Sequence, residues 1–204
     1  MSIYEQFLKI PATCISDSLK GLTNMDFTIK PLKETYKISG PACTVKLLAN
    51  DNLIFLKGLV LAKPGDVLVV DIGSYQYNAI AGDFMIGAAK VLGLAGVVVD
   101  GTVRDSAGIK ETDFPVFCRG NTLAASNKVG IGEVNIPICC GGVVVNPGDI
   151  IIGDADGVVV VPQDRATETL KFALKKEQAD RKRAKLLESA NATREYINKL
   201  LLKS

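Results

Sequence analysis

The stretch from residue 64 to residue 106, PGDVLVVDIGSYQYNAIAGDFMIGAAKVLGLAGVVVDGTVRDS, constrains the fold of this chain more than any other part of the sequence. It contains two short β-branched apolar runs, residues 67–70 and 97–99, separated by a glycine-rich loop and an amphipathic segment at 84–92. Apolar runs that alternate with a helical pattern predict a βαβ unit with parallel strands. Both strands then end at one edge of the sheet, where ligands collect beside free helix N-termini.

Three charged side chains are predicted to lie at that edge. Asp83 follows Gly82 at the start of the predicted helix, and Arg104 and Asp105 follow the second strand. Glycine lets a ligand approach the backbone, and the first-turn amides of a helix can hold a carboxylate or a phosphate. Carboxylates suit a hard cation, and a guanidinium suits a keto acid. The structural alternative is a solvated turn, in which Asp105 caps a short helix and Asp83 is an ordinary first-turn residue.

The 204-residue chain contains no histidine. This absence excludes serine and cysteine triads that use histidine as the base, and zinc sites with histidine ligands. Acid–base chemistry must therefore fall to carboxylates, lysine, tyrosine, or water on a hard cation. The five cysteines show no C-x-x-C spacing, which favours buried free thiols over a metal site or disulfides.

The length predicts one domain over residues 1–204, or one domain with a helical appendage, and the order of strand and helix patterns predicts an α/β class with a mixed sheet. A net charge of +2 gives no indication of a nucleic-acid partner, and no apolar run is long enough to span a membrane. Because the N-terminus lacks a signal-peptide pattern, we expect a cytoplasmic protein. The charged helical pattern at about residues 164–201 predicts one long helix that either lies along the domain or reaches a neighbouring subunit; its apolar face is too small for its own domain alone, so we expect an oligomer.

The spacing of Asp83 and Arg104-Asp105, with twenty residues between, resembles the D-x20-R-D signature of class II pyruvate aldolases. These are the enzymes of the 4-hydroxy-4-methyl-2-oxoglutarate (HMG) aldolase type, which share a fold with the regulator of ribonuclease activity A. The resemblance covers most of the chain. It includes PATCISDSL, GPACTVK, the Asp51-Asn52 pair, PGDVLVVD, AGDFMIGAAK, GVVVDGTVRD, FPVFCRG and DADGVVVVP. It implies a compact α/β sandwich with mixed sheets, similar to the swivelling domains, that assembles as a homotrimer with sites at subunit interfaces.

The resemblance also implies a role for each residue of the signature. Asp105 would bind Mg²⁺ or Mn²⁺ directly, and Asp83 would bind the cation through water. Arg104 would contact the pyruvyl end of a small keto-acid substrate, which makes Arg104 and Asp83 the implied catalytic residues. The backbone amides that would hold the substrate carboxylate belong to Gly82, Asp83, Phe84 and Met85.

In such enzymes a glutamate from the C-terminal helix of a neighbouring subunit also reaches the waters on the metal. Glu177 is the candidate by its distance along the chain, and Glu168 and Glu188 are alternatives because no local motif selects one of them. Arg119, in the PVFCRG stretch, is expected near the same edge and is a further candidate for substrate contact.

Together these features predict a divalent-metal-dependent carbon–carbon lyase. The expected reaction is cleavage of 4-hydroxy-2-oxo acids to pyruvate, with decarboxylation of oxaloacetate as a second activity. A Schiff-base lysine, Lys46 or Lys90, is the enzymatic alternative. The alternative from another class is a non-catalytic, protein-binding regulator of ribonuclease activity. Regulators with this fold lack a complete D-x20-R-D set, so the intact set here favours catalysis.

Overall fold

Helices and short strands alternate along the part of the chain that the computed structural model describes, residues 1–187 and 189–202. The α-helices are α1 (Ile3–Phe7), α2 (Ala12–Ser18), α3 (Leu53–Leu61), α4 (Asp83–Val91), α5 (Ser106–Glu111), α6 (Ala166–Ala184) and α7 (Ala190–Leu201). The strands are β1 (Lys30–Pro31), β2 (Ile38–Leu47), β3 (Val67–Asp71), β4 (Gly96–Val103), β5 (Val116–Asn121), β6 (Gly132–Val134), β7 (Ile138–Cys140), β8 (Val143–Val145), β9 (Ile150–Asp154) and β10 (Gly157–Val161). The predicted βαβ unit is confirmed, because β3 and β4 are parallel neighbours joined through α4.

Eight of these strands form one mixed sheet, in the order β1-β5-β4-β3-β2-β9-β10, with β6 paired to β2. Strand β2 changes partner along its length: residues 38–41 pair antiparallel with β9, and residues 42–46 pair parallel with β3. The two ends of the sheet approach each other where Lys30 Nζ donates to the backbone carbonyl of Asp156. The sheet is therefore nearly closed into a barrel, and the predicted mixed α/β class is confirmed.

Strand β3 shows how the sheet is held at the centre of the protein. Leu68 and Val70 face a core that includes side chains of α3, α4 and α5, and Val67 and Val69 face a second core on the other side of the sheet. All residues of β3 and β4 are buried, as is typical of parallel strands covered on both faces. Burial of each such side chain contributes about 1.5–3 kcal/mol. This packing fixes where α4 and α5 begin.

A third core packs α1, α2 and α6 against the β9–β10 hairpin. Helix α6 buries Ala166, Leu170 and Ala173 on one face, and this helix confirms the predicted long C-terminal helix. Its predicted continuity to residue 201 is wrong. A 3-10 turn occupies Lys185–Leu187, and α7 begins after Ser189, whose Oγ accepts a hydrogen bond from the Ala192 N–H at 3.2 Å. A serine N-cap satisfies a first-turn amide and so favours a new helix start at this point.

The expected burial of the cysteines is confirmed for four of them, whereas Cys139 is exposed and all five are free thiols. Among the described residues, no helix is both long enough and apolar enough to cross a bilayer.

Candidate active site

The edge formed by the carboxyl ends of β3 and β4 brings the signature residues together. After β3 the chain returns across this edge and pairs with the end of β4. The Ile80 N–H donates to the Thr102 carbonyl at 2.9 Å, and the Arg104 N–H donates to the Ala81 carbonyl at 3.0 Å. Ala81 and Val103 thereby form a parallel bridge. These backbone bonds place the start of α4 directly beside the residues that follow β4.

Gly82 is the N-cap of α4 and has extended backbone, with φ −122° and ψ −172°. Its carbonyl accepts from the Ile86 N–H at 3.1 Å, which begins the helical hydrogen bonding. Asp83 is exposed, and its Oδ1 accepts from the Phe84 N–H at 2.7 Å. The Phe84 side chain is 82% exposed, and Met85 packs partly against the core. A substrate carboxylate at this helix end would therefore compete with Asp83 for the Phe84 amide.

Arg104 and Asp105 form an ion pair on the surface of the edge. Arg104 Nε lies 3.3 Å from Asp105 Oδ2, and both side chains are 44% exposed. Asp105 precedes α5 with left-handed backbone, φ +55° and ψ +38°, and its side chain makes no capping hydrogen bond. Asp105 is thus at the N-cap position of α5, where its carbonyl accepts from the Ile109 N–H at 3.0 Å, but its side chain does not cap the helix. Left-handed backbone costs an L-residue about 1–2 kcal/mol, and such strain is concentrated at functional sites.

Each of the two carboxylates lies against a glycine at the start of, or within, the other helix. Asp105 Oδ2, from the start of α5, occupies the space that a side chain on Gly82 of α4 would need. Asp83 Oδ2, from α4, lies 3.0 Å from the position of a Cβ on Gly108 of α5. Both carboxylates thus lie at the junction of α4 and α5. Gly108 belongs to none of the sequence patterns described above. The one feature that could have indicated its role is that it is a glycine within the short helix after Arg104-Asp105.

The donor set at this junction fits a hard cation. Mg²⁺ is usually held by one or two carboxylates together with waters and substrate oxygens, and Asp83 and Asp105 supply two partly exposed carboxylates. Within residues 1–187 and 189–202, no group of three or more His, Cys, Asp or Glu side chains could hold a metal. A cation held here would take its remaining ligands from substrate, from water or from another chain.

The glutamates expected from a neighbouring subunit lie elsewhere in the fold of one chain. Glu177 Oε1 accepts from Arg181 Nη2 at 2.6 Å on the same helix. Glu168 is exposed in the first turn of α6. Because α6 packs on α1 and α2, the structure brings neither glutamate into a cluster with Asp105 of the same chain. Glu188 lies outside the described residues.

Arg119 is held by a buried network. Its Nε donates to Asp100 Oδ1, its Nη1 lies 3.3 Å from Asp26 Oδ1, and its Nη2 donates to Ser74 Oγ at 3.3 Å. The side chains of Arg119 and Asp100 are only 8% and 3% exposed. Burial acts to lower the pKa of Arg119, but the hydrogen bond and charge of Asp100 outweigh it and raise that pKa. Side chains of the protein itself therefore already bind the Arg119 guanidinium.

The two candidate Schiff-base lysines are also engaged. Lys46 Nζ donates to Asp71 Oδ2 at 2.6 Å, and Lys90 Nζ donates to the backbone carbonyl of Thr112. A lysine nucleophile must be neutral, which requires an apolar pocket or a neighbouring cation. Lys46 Nζ instead pairs with the buried carboxylate of Asp71, and Lys90 is exposed. Neither environment favours an imine mechanism.

Asp51 and Asn52, which lie just before α3, form hydrogen bonds to segments near the candidate site. Asn52 Nδ2 donates to the Ile80 carbonyl at 3.1 Å and lies 3.9 Å from Met85 Sδ. Its Oδ1 is buried, with no hydrogen-bond partner among the described residues. Asp51 Oδ2 accepts from the Gly130 and Ile131 N–H groups at 2.6 and 3.0 Å. The resemblance included the Asp51-Asn52 pair without assigning it a role, and the structure shows that it ties two loops to the start of α4.

Comparison with known proteins decides the family. The family model described as "RraA-like: Aldolase/RraA" matches residues 12–160. The chain belongs to the RraA-like family. A protein of Halalkalibacterium halodurans named "Putative 4-hydroxy-4-methyl-2-oxoglutarate aldolase" is 51% identical over 197 residues, which cover 96% of this chain and 94% of that protein.

Solved RraA structures share the fold. The RNA-processing inhibitor RraA from a Thermus species superimposes with a TM-score of 0.69 at 31% identity, covering 76% of this chain and 93% of that chain. An RraA protein of Streptomyces coelicolor, described as an unusual member of the RNase ES inhibitor family, gives a TM-score of 0.78 at 28% identity, covering 88% and 93% of the two chains. The predicted relationship to both aldolases and ribonuclease regulators is thus confirmed at the level of family and fold.

In this RraA-like chain, we expect Asp51→Asn to be destabilising in a pH-dependent way. Burial acts to raise the pKa of Asp51, but N–H bonds from Ile131, Leu53 and Gly130 outweigh it and hold the pKa below 3.8. The unfolded carboxyl titrates near 3.9, so the stabilisation is complete above that pH and is lost as the pH falls through the lower folded value. Removing the charged acceptor should cost about 1–3 kcal/mol at pH 7.

Urea unfolding of both proteins between pH 7 and pH 3 measures this difference. The free-energy gap should stay constant down to about pH 5 and narrow below about pH 4, near the ordinary carboxyl pKa. A gap of the same size at pH 7 and pH 3 would show that the ionised carboxylate is not what stabilises the loop.

Proposed function

We propose that this chain is a divalent-metal-dependent carbon–carbon lyase that cleaves 4-hydroxy-2-oxo acids to pyruvate and also decarboxylates oxaloacetate. The observation that carries the proposal is the convergence of Asp83, Arg104 and Asp105 at the start of α4 and α5. The relative named as an HMG aldolase, at 51% identity, supports the same reaction class. The intact D-x20-R-D set favours catalysis over the regulatory role of the ribonuclease inhibitors that share the fold.

Arg104 would bind the oxo-acid end of the substrate. Its guanidinium is 44% exposed, and its ion pair with Asp105, at 3.3 Å, is of the exposed kind that contributes at most about 1 kcal/mol. The planar fork can therefore turn to a carboxylate or a ketone oxygen and donate two parallel hydrogen bonds. The positive end of α4 lies beside it and favours the substrate carboxylate.

Asp105 would hold Mg²⁺ or Mn²⁺ directly, and Asp83 would hold it through water. When bound, the cation supplies Lewis-acid stabilisation of the negative charge that develops on the pyruvate enolate. Arg104 adds a second, fixed positive charge at the same end of the substrate. Such preorganised charge is worth most in a site from which water is excluded.

Asp83 would assist the removal of a proton from the substrate during aldol cleavage. Breaking the C3–C4 bond leaves its electron pair on the pyruvyl fragment and requires removal of the proton from the 4-hydroxyl group. Because the chain has no histidine, a water oriented by the Asp83 carboxylate is the proposed base. Decarboxylation of oxaloacetate gives the same enolate and CO₂ without deprotonation of a hydroxyl group, so it depends less on Asp83.

The proposal is tested by measuring pyruvate release from a panel of 4-hydroxy-2-oxo acids and from oxaloacetate. We expect chelator treatment to abolish pyruvate formation and Mg²⁺ or Mn²⁺ to restore it, because both acidic side chains of the site are hard oxygen ligands. Full activity after exhaustive chelation, with borohydride trapping on a lysine, would favour the imine mechanism instead. No pyruvate from any substrate, together with binding to a ribonuclease, would favour the regulator.

Conservative variants should separate the roles of Arg104 and Asp105. Arg104→Lys keeps the charge but loses the planar fork, so it should lower turnover about 10²–10³-fold and weaken substrate binding while leaving metal affinity nearly unchanged. Asp105→Asn keeps the size but loses a charged oxygen, so it should weaken metal affinity first. Steady-state kinetics and calorimetric Mn²⁺ titration measure the two effects.

Asp164→Asn and Arg165→Lys are the matched controls, because they alter an exposed, adjacent acid–base pair that precedes α6 and is not part of the junction of α4 and α5. Both controls should retain wild-type kinetics. Near-full activity of the folded Arg104 and Asp105 variants would show that the surface pair is only a solvated turn.

We also propose that the active form is a homotrimer in which the C-terminal helices contact a neighbour. Helix α7 buries none of its residues within the chain, and Leu187, Ile197 and Leu200 are 57%, 47% and 50% exposed. Exposed apolar faces of this kind indicate protein–protein contact. Light scattering of the active protein should report three times 21.7 kDa.

In the trimer, Glu177→Gln should weaken Mn²⁺ affinity, whereas Glu168→Gln should not. A fully active monomer would exclude both the trimer and the contribution of Glu177 from a neighbour.

A further inference from the structure

We infer that Gly108 is a positioning residue, and that the space left by its missing side chain sets the place of the Asp83 carboxylate. The inference rests on the proposed function for its catalytic consequence, but its structural part stands on geometry alone. A Cβ on Gly108 would lie 3.0 Å from Asp83 Oδ2, 3.2 Å from Asp83 Cβ and 3.5 Å from Asp83 Cγ. The three nearest heavy atoms to that position all belong to Asp83.

A rotation of the Asp83 side chain would not relieve this contact. The Asp83 Cβ itself lies 3.2 Å from the added atom, and its position does not depend on the side-chain torsion angles. Carbon atoms pack best at about 3.5–4.0 Å. Alanine at this position therefore requires the first turn of α4 to move relative to α5.

The backbone gives no reason for glycine at this position. Gly108 lies in the middle of α5, and its φ is not among the positive values found in the chain. Alanine is the better helix former, because glycine loses more conformational freedom when it is fixed in a helix. Glycine at position 108 is therefore not explained by the stability of the helix. It is explained by the room that it leaves for the Asp83 carboxylate.

Gly82 completes the arrangement from the other helix. A side chain on Gly82 would collide with Asp105 Oδ2 and would approach Arg104 Cγ and Nε to 3.4 Å. Each of the two carboxylates therefore packs on the glycine of the opposite helix, so a displacement of one helix start changes the surroundings of both. This coupling predicts that a single methyl group on α5, at a residue with no proposed contact with substrate or cation, alters how the pair Asp83 and Asp105 binds a cation.

The chain contains a matched control. Gly87 lies in the middle of α4, and a Cβ there would meet nothing within 4 Å. Gly87→Ala and Gly108→Ala therefore make the same chemical change in a helix with the same benefit to helix propensity. They differ in whether the new methyl group touches Asp83.

The experiment compares wild-type protein, Gly108→Ala and Gly87→Ala as full-length chains. The NMR chemical shift of the Asp83 carboxyl carbon at pH 7 reports its surroundings without any need for activity. We expect it to change in Gly108→Ala and to match the wild type in Gly87→Ala. Mn²⁺ affinity and aldol-cleavage turnover should fall about tenfold in Gly108→Ala, since a shift of 1 Å can cost about 10²-fold and the displacement here is smaller. Gly87→Ala should unfold at the wild-type temperature or above, and Gly108→Ala should unfold at a lower temperature than Gly87→Ala, because its close contact with Asp83 opposes the gain in helix propensity.

A double-mutant cycle shows whether Gly108 acts through Asp83. In an Asp83→Asn background, Gly108→Ala should have much less than its single-variant effect on turnover. Equal losses in both backgrounds, or a Gly108→Ala protein that matches Gly87→Ala in carboxyl shift, Mn²⁺ affinity and turnover, would overturn the inference. A wild-type protein with no lyase activity and no Mn²⁺ affinity would refute the proposed function, and the carboxyl shift would still decide the role of Gly108.

Discussion

The parallel pairing of β3 with β4, and the return of the chain to the end of β4, is the constraint on which the site depends. Both strands are buried on both faces, so their register is fixed by two apolar cores and cannot slip. The bridge between Ala81 and Val103 then transfers that register to the start of α4. Asp83 and Arg104, which have twenty residues between them in sequence, are brought together by backbone hydrogen bonds.

Two arginine–aspartate pairs differ in burial, and the difference decides how much each pair contributes to stability. Arg119 and Asp100 are 8% and 3% exposed, and further polar groups complete their network. Breaking such a pair typically costs about 3–5 kcal/mol, because it leaves an uncompensated buried charge. Arg104 and Asp105, each 44% exposed, lose little when separated. The same two residue types thus stabilise the fold in one place and remain free to bind a ligand in the other.

The sequence predicted the features that depend on local pattern. The βαβ unit, its strand ends, the long helix α6 and the edge that carries Asp83, Arg104 and Asp105 follow from periodicity and turn chemistry. What it could not predict depends on contacts between distant segments. The change of partner within β2 at residues 41–42 requires β9, more than one hundred residues later. The fit of Asp83 against Gly108 likewise depends on how two helix starts cross, which no spacing rule encodes.

A chain without histidine restricts how the proposed chemistry can move a proton. A carboxylate is a weak base near neutral pH, so its usefulness depends on how far nearby positive charge lowers the pKa of the group it deprotonates. Arg104, the positive end of α4 and a cation at Asp105 would all lie within reach of the same substrate end. Because each contributes by position rather than by its own titration, the site depends on fixed geometry. Small residues such as Gly82 and Gly108, which influence where the carboxylates lie, then contribute to the proposed reaction without taking part in its chemistry.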